Sequence, residues 1–255
     1  MIIEIDHIAI SSNRFAEHIE SMKTLGYTTS FIEMNRENLK IKTKLLHKFH
    51  ANHDLALLSS MGNIGIELVN HRTIHKSDDV YIIPIFENIP HEIIEYIQEK
   101  EIDNIGKYGI MKTFDTPIYI SNNVNNANLQ FKKFVIKTKN IEKSVIFWKL
   151  LGFKIIQNTT DLILLEFKAL LNQNIYHLYL QKTQDQDKTH FLDDTGFNCV
   201  AFISTSSKNE KNFLDHKGIT TTNIEKFILR EKTLDIFFAI GPSGEIVEII
   251  SIQNN

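Results

Sequence analysis

Two stretches far apart in the chain put residues that can bind a cation or move a proton on short apolar segments. Ile5-Asp6-His7-Ile8-Ala9-Ile10 is followed by Ile64-Gly65-Ile66-Glu67-Leu68. Phe197-Asn198-Cys199-Val200-Ala201-Phe202 is followed by Gly241-Pro242-Ser243-Gly244-Glu245-Ile246-Val247-Glu248-Ile249-Ile250. In each pair a ligand-capable residue on a first strand, His7 or Cys199, precedes a carboxylate on a closing strand, Glu67 or Glu248. Imidazole nitrogen and carboxylate oxygen suit divalent ions such as Zn²⁺, Ni²⁺, Mn²⁺ or Fe²⁺. A carboxylate beside such an ion can also move a proton.

Each residue has a plainer reading as well. A lone strand histidine is commonly a hydrogen-bonded core residue. Glu67 alternates with Ile66 and Leu68, and the face it occupies could be solvent as readily as a site. Cys199 suits a small buried hydrophobe. Glu245, three residues before Glu248, falls on the opposite strand face and reads as the exposed carboxylate of the pair.

The elements that would position these residues repeat. Residues 3–10 read as a strand. Asn13 offers an N-cap to a helix carrying Phe15, Ile19, Met22 and Leu25 at helical spacing, and Gly26 supplies the stop. Strand-like segments follow at 27–32, 55–58 and 64–69, the last two separated by the turn signal Met61-Gly62-Asn63. The unit is βαβββ. It returns at Phe134-Val135-Ile136 with a helix capped by Asn140, a stop at Gly152 and strands near 153–157, 162–167 and 176–181. It returns again at 197–204, with a helix around 208–216, a stop at Gly218 and strands reaching Ile250. Between the first unit and the one that starts at Phe134 lies a degraded copy: strand-like 81–86, helix-like His91–Gln98, and strand-like 108–111 and 118–120. The polar run Ser121-Asn122-Asn123-Val124-Asn125-Asn126 reads as the joint between two domains.

Composition removes several function classes. A chain of 255 residues supports one large domain or two ordinary ones, and a hydrophobic fraction of 42% with a net charge of −3 gives no field for nucleic acid or anionic lipid. One cysteine excludes an internal disulfide framework. There is no apolar run of the roughly 18 residues a bilayer requires, and the first strand carries Glu4 and Asp6 rather than a basic leader, so a cytoplasmic location is expected. The abundance of Asn, Ile and Lys fits an AT-rich bacterial coding bias. Elsewhere, Trp148, Phe147 and Phe153 read as helix-to-sheet packing. His47, His50 and His53 share neither a strand face nor a helix face. Asn38–His53, with four lysines, reads as a lid or a solvated loop. His71 and His75 follow Glu67 closely enough to stand in for a missing ligand.

The chain resembles the vicinal oxygen chelate superfamily, which includes glyoxalase I, methylmalonyl-CoA epimerase, extradiol dioxygenases and bleomycin-resistance proteins. The resemblance rests on Asp6-His7-Ile8-Ala9-Ile10, on the helix segment from Asn140 through Trp148 to Phe153, and on the closing Gly241–Glu248, and it spans nearly the whole chain. It implies an α+β fold of four βαβββ modules, the second degenerate, forming two glyoxalase-like domains with cup-shaped mixed sheets. Residues 1–125 would hold modules one and two, and residues 126–255 modules three and four.

It further implies metal ligands on the first and last strands of the modules. His7 and Glu67 match in the first, Cys199 and Glu248 in the fourth. Lys133 and Tyr179 occupy these positions in the third, where neither is a plausible ligand. If modules one and four share a cup, His7, Glu67 and Glu248 converge as metal ligands with Cys199 as a fourth corner. If modules pair in sequence, the C-terminal cup holds Lys133, Cys199 and Glu248 where extradiol dioxygenases use two histidines and a glutamate, which speaks against oxygen chemistry. The implied function is a glyoxalase-like, divalent-metal-dependent lyase or isomerase acting on a small oxygenated metabolite, with Glu67 and Glu248 as catalytic carboxylates, in a monomer or homodimer. The alternative is a metal-free small-molecule binder of the bleomycin-resistance type.

Overall fold

A computed structural model describes residues 1–75, 81–89, 94–102, 105–112, 116–121, 128–183 and 190–253, the stretch 94–102 by its backbone. The first module runs β1 (Ile2–Ser11), α1 (Phe15–Thr24), β2 (Thr28–Glu37), β3 (Asn52–Ser59) and β4 (Gly65–Asn70). Helix α1 buries Phe15, Ile19 and Met22 on one side and ends at Gly26, whose φ of 83° few other residues adopt. Its N-cap is Arg14 rather than Asn13, with no capping side chain. Ser12 Oγ lies 2.7 Å from His18 Nδ1 within the helix.

The second module has β5 (Ile82–Glu87), β6 (Ile94–Ile102), β7 (Gly106–Met111) and β8 (Thr116–Ser121). The helix expected over 91–98 is not formed over 94–98, which belong to β6; residues 91–93 lie outside the described residues. Ile94, Tyr96 and Ile102 are strand formers, and the backbone of β6 pairs with β7 antiparallel. The third module follows the expected order: β9 (Gln130–Thr138), α2 (Ile141–Leu150), β10 (Lys154–Asn158), β11 (Leu162–Lys168) and β12 (Ile175–Lys182). Asn140 caps α2, its Oδ1 accepting from Lys143 N at 3.0 Å. The fourth comprises β13 (Gly196–Ser204), α3 (Ser207–His216), β14 (Thr220–Thr221), β15 (Glu225–Leu229), β16 (Lys232–Ile240) and β17 (Ile246–Ile252).

Strand pairing joins module one to module four. β1 lies between β4, parallel to it, and β13, antiparallel to it, and β13 in turn pairs with β17. The resulting order is β2-β3-β4-β1-β13-β17-β16-β15. Modules two and three pair in the same way, giving β10-β11-β12-β9-β5-β8-β7-β6. The sheets are therefore shared across the division at residue 125 instead of being confined to each half of the chain. Of the joint expected over 121–126, Ser121 ends β8 and residues 122–126 lie outside the described residues.

Alternation along the strands sorts the core. Ile8, Ile10, Ile66, Leu68, Val247 and Ile249 pack toward one large cluster that also holds Trp148, Phe147 and Phe153. Ala9, Cys199, Ala201, Ile246, Ile250 and Phe238 form a second cluster inside the first cup, and Ile83, Ile85, Tyr119, Val135 and Tyr179 a third inside the second cup. No helix among the described residues is long and apolar enough to cross a membrane.

Candidate metal centre

The faces that do not reach the large cluster carry the candidate residues. His7 lies two residues before Ala9 on the inner face of β1, Glu67 separates Ile66 from Leu68 on β4, and Glu248 separates Val247 from Ile249 on β17. Gly65, paired with His7, lets β4 approach: a side chain there would strike the Asp6 carbonyl oxygen and crowd the His7 Cβ. With module four beside module one, Glu248 comes to the same place from the far end of the fold.

Three side chains converge. His7 Nε2 lies 3.5 Å from Glu67 Oε2 and 3.6 Å from Glu248 Oε2, and the three ligand atoms fall within 4.8 Å of one another. His7 is buried, and its Nε2 has no hydrogen-bond partner. Its Nδ1 lies 2.7 Å from Asp6 Oδ2, so the Nδ1–H donates there and Nε2 faces the two glutamates. Two atoms each about 2.1 Å from a tetrahedral ion stand about 3.4 Å apart, a separation longer than a hydrogen bond and matched by both contacts. The donor set and its spacing fit a divalent cation.

The electrostatics agree. Burial alone would depress the His7 pKa, but the charge of Glu67, the hydrogen bond to Asp6 and the nearby Glu248 carboxylate outweigh it and raise it well above the usual histidine range. Burial would raise Glu67, and the His7 charge overrides this to hold its carboxyl low. A cation is what this hollow favours, whether a proton on His7 or a metal ion.

Cys199 does not join the group. It is buried against the apolar lining, its Sγ 3.9 Å from the Val200 carbonyl oxygen, and burial followed by the Glu248 charge pushes its thiol well up. Glu245 is not exposed as expected. It is fully buried, accepting from Ser144 Oγ and Ser243 N at 2.6 Å each, and it braces the turn before β17. Of the other histidines, His47 Nε2 pairs with Asp194 Oδ1 at 2.9 Å and stacks on His75, while His50 Nε2 meets Thr73 Oγ1 at 3.0 Å. His53 is buried beside His71, their ring centroids 6.1 Å apart, and it lines the cavity in front of the candidate centre.

That cavity, of ≈ 200 Å³, is walled by Phe31, Leu55, Leu57, Phe227 and Leu234 and reaches His7, Glu67 and Glu248. Leu39 and Lys42 roof it, and the segment 38–51 that carries them is packed down rather than a solvated loop. Leu39, Lys42, Leu45 and Leu46 are buried, Ile41 N donates to Glu225 Oε2 at 2.9 Å and Leu192 N to the Leu45 carbonyl at 2.7 Å. Arg230 donates to the Ser30 carbonyl at 2.7 Å and Arg36 to that of Ile228, so the edge strands β2 and β15 are tied together at the rim. Sequence reasoning missed Lys42 and His53. The signal was the recurrence of Leu39, Ile41, Leu45 and Leu46 among the lysines, too apolar for a segment facing water.

Neither a protein-family model nor a curated protein matches the sequence. Solved structures do. Glyoxalase I from Zea mays, in two mutant forms, superposes over 97% of this chain at TM-scores of 0.64 and 0.62, with 11% and 12% identity and 93% and 92% of the maize chains covered. A provisionally named dioxygenase of Bacillus subtilis matches over 100% of this chain and 86% of its own at a TM-score of 0.64 and 8% identity. The chain has the vicinal oxygen chelate fold. At these identities the likeness concerns the backbone, and within the vicinal oxygen chelate fold the chemistry must be argued from the side chains that line each cup.

Proposed function

We propose that this chain is a divalent-metal-dependent lyase or isomerase acting on a small oxygenated metabolite in the cup of modules one and four. The observation that carries the reading is the buried His7 Nε2, without a hydrogen-bond partner and facing Glu67 and Glu248 at metal-ligand spacing. His7, Glu67 and Glu248 would hold Zn²⁺, Ni²⁺, Mn²⁺ or Fe²⁺, with Asp6 fixing the His7 ring and tautomer. A bound ion would supply Lewis-acid polarisation of a substrate oxygen. In this reading Glu67 and Glu248 move a proton between substrate atoms. The apolar walls keep water from that proton, and the stapled edges hold the cup around it.

A second reading, a metal-free small-molecule binder, is favoured by one observation: Asp6, Glu67 and Glu248 stand close enough to His7 to hold a proton on it in place of an ion. Elemental mass spectrometry on protein purified without a chelating tag, with thermal shifts in Ni²⁺, Zn²⁺, Mn²⁺ and Fe²⁺, separates the two. About one ion per chain and a rise of several degrees support the enzyme. No ion and no shift leave the binder.

A further inference from the structure

His53 is 2% exposed, and neither ring nitrogen has a hydrogen-bond partner, yet it lines the cavity. A buried imidazole with both nitrogens unmet calls for a partner the protein itself does not supply. Lys42 lines the same cavity from the roof. It is 6% exposed, and its Nζ lies 5.7 Å from the Phe238 ring centroid. Burial and then the Lys42 charge hold the His53 pKa down at about 3, so its ring is neutral and serves as a hydrogen-bond donor, not a proton carrier. Behind it, His71 is kept neutral by burial and by Lys42 in the same way.

Charge points to the kind of ligand. Glu67 and Glu248 together balance one divalent ion, and Asp6, a third exposed, shares its charge with the His7 N–H and with solvent. Two lysines line the cavity; Lys232 is exposed to solvent, and what remains inside is the positive charge of Lys42. A lysine that served only to offset Glu67 would need no unpartnered imidazole in the same wall. We propose that Lys42 and His53 form an anion-recognising pole of the cavity, and that the ligand is a small monocarboxylate with an apolar body and a second oxygen facing the His7–Glu67–Glu248 group. The charge balance and the placement of that second oxygen rest on reading the group as a metal centre; the unmet His53 nitrogens in the same wall as Lys42 do not. The volume of ≈ 200 Å³ holds roughly seven water-sized groups, enough for a short branched acid and little more.

Calorimetric titration of 4-methyl-2-oxopentanoate and of its uncharged methyl ester into the full chain, with and without Ni²⁺, tests this. The acid is expected to bind at least about tenfold tighter than the ester, the usual margin for a charge-assisted contact. Lys42→Met, which keeps the apolar stem, should erase that preference without weakening Ni²⁺, since removing a cation near Glu67 cannot hinder cation binding. His53→Leu should reduce acid affinity by a smaller factor. Equal binding of acid and ester by the wild type, a preference that survives in Lys42→Met, or no acid binding at millimolar concentration overturns the proposal. Failure of the metal reading looks different: no heat with Ni²⁺, together with an acid preference in the metal-free protein that Lys42→Met still abolishes, which upholds the anion pole alone.

Discussion

The two cups put different side chains at the same four places. In the first, His7 stands two residues before Ala9, which faces Glu67, and across the seam Ala9 faces Cys199 while Ala201 faces Glu248. In the second, Lys133 stands two residues before Val135, which faces Tyr179, and across the seam Val135 faces Ile83 while Ile85 faces Tyr119. The quartet His7, Glu67, Cys199 and Glu248 thus corresponds to Lys133, Tyr179, Ile83 and Tyr119. One hollow is acidic with a small thiol; the other is filled by two tyrosines and an isoleucine. Lys133 turns to Glu87, its Nζ 2.5 Å from Oε1. The backbone presents four positions to each cup, and side-chain type alone makes one of them a candidate site.

The largest effect should come from removing a ligand. His7→Ala and Glu248→Ala are each expected to lower Ni²⁺ or Zn²⁺ affinity by more than about a hundredfold, while Lys133→Ala leaves it unchanged, as read by calorimetry. Full metal occupancy in both first-cup variants would erase the contrast between the cups. Lys133→Met should instead cost the fold about 1–3 kcal/mol in urea unfolding, because it takes a cation from buried Glu87. The range lies below that of a fully buried pair because Lys133 is a third exposed.

Smaller changes sharpen the comparison. Asp6→Asn should weaken metal binding about tenfold through loss of the carboxylate behind His7. Metal must also displace the proton that a raised pKa keeps on His7. In the metal-free protein this proton stabilises the fold fully below about pH 6.5, and the benefit is lost as pH rises through the folded value. The rise in melting temperature on adding Zn²⁺ should therefore grow with pH; a flat response would show that His7 carries no such proton. Smallest of all, Cys199→Ala should cost under about 1.5 kcal/mol and leave metal affinity as it was, since the thiol belongs to the apolar lining and not to the ligand group.

Much of the fold was legible because three modules obey simple periods. Phe15, Ile19 and Met22 recur at helical spacing, Asn140 caps, and Gly26, Gly152 and Gly218 stop their helices with positive φ. The second module misled because Ile94, Tyr96 and Ile97 suit a short helix face as well as a strand, and pairing with β7 decided the matter. In the site, His7, Glu67 and Glu248 stood out by type and position on their strands. What the sequence withheld was proximity: only the pairing of β1 with β13 places Glu248 near His7. Glu245 was misread because its role lies in a turn, where alternation no longer says which way a side chain faces. Lys42 stayed hidden for a similar reason, since no strand or long helix gives its segment a periodicity to read.

The seam between β1 and β13 also has a consequence for synthesis. While the ribosome is still making the middle modules, β1 has β4 on one side and an open edge on the other, waiting for residues 196–204. That edge is mostly apolar, the kind that invites pairing with a neighbouring chain. Glu248 follows on β17, so the candidate centre is complete only once module four has paired with module one, whereas β9 finds β5 and β12 without waiting for β1.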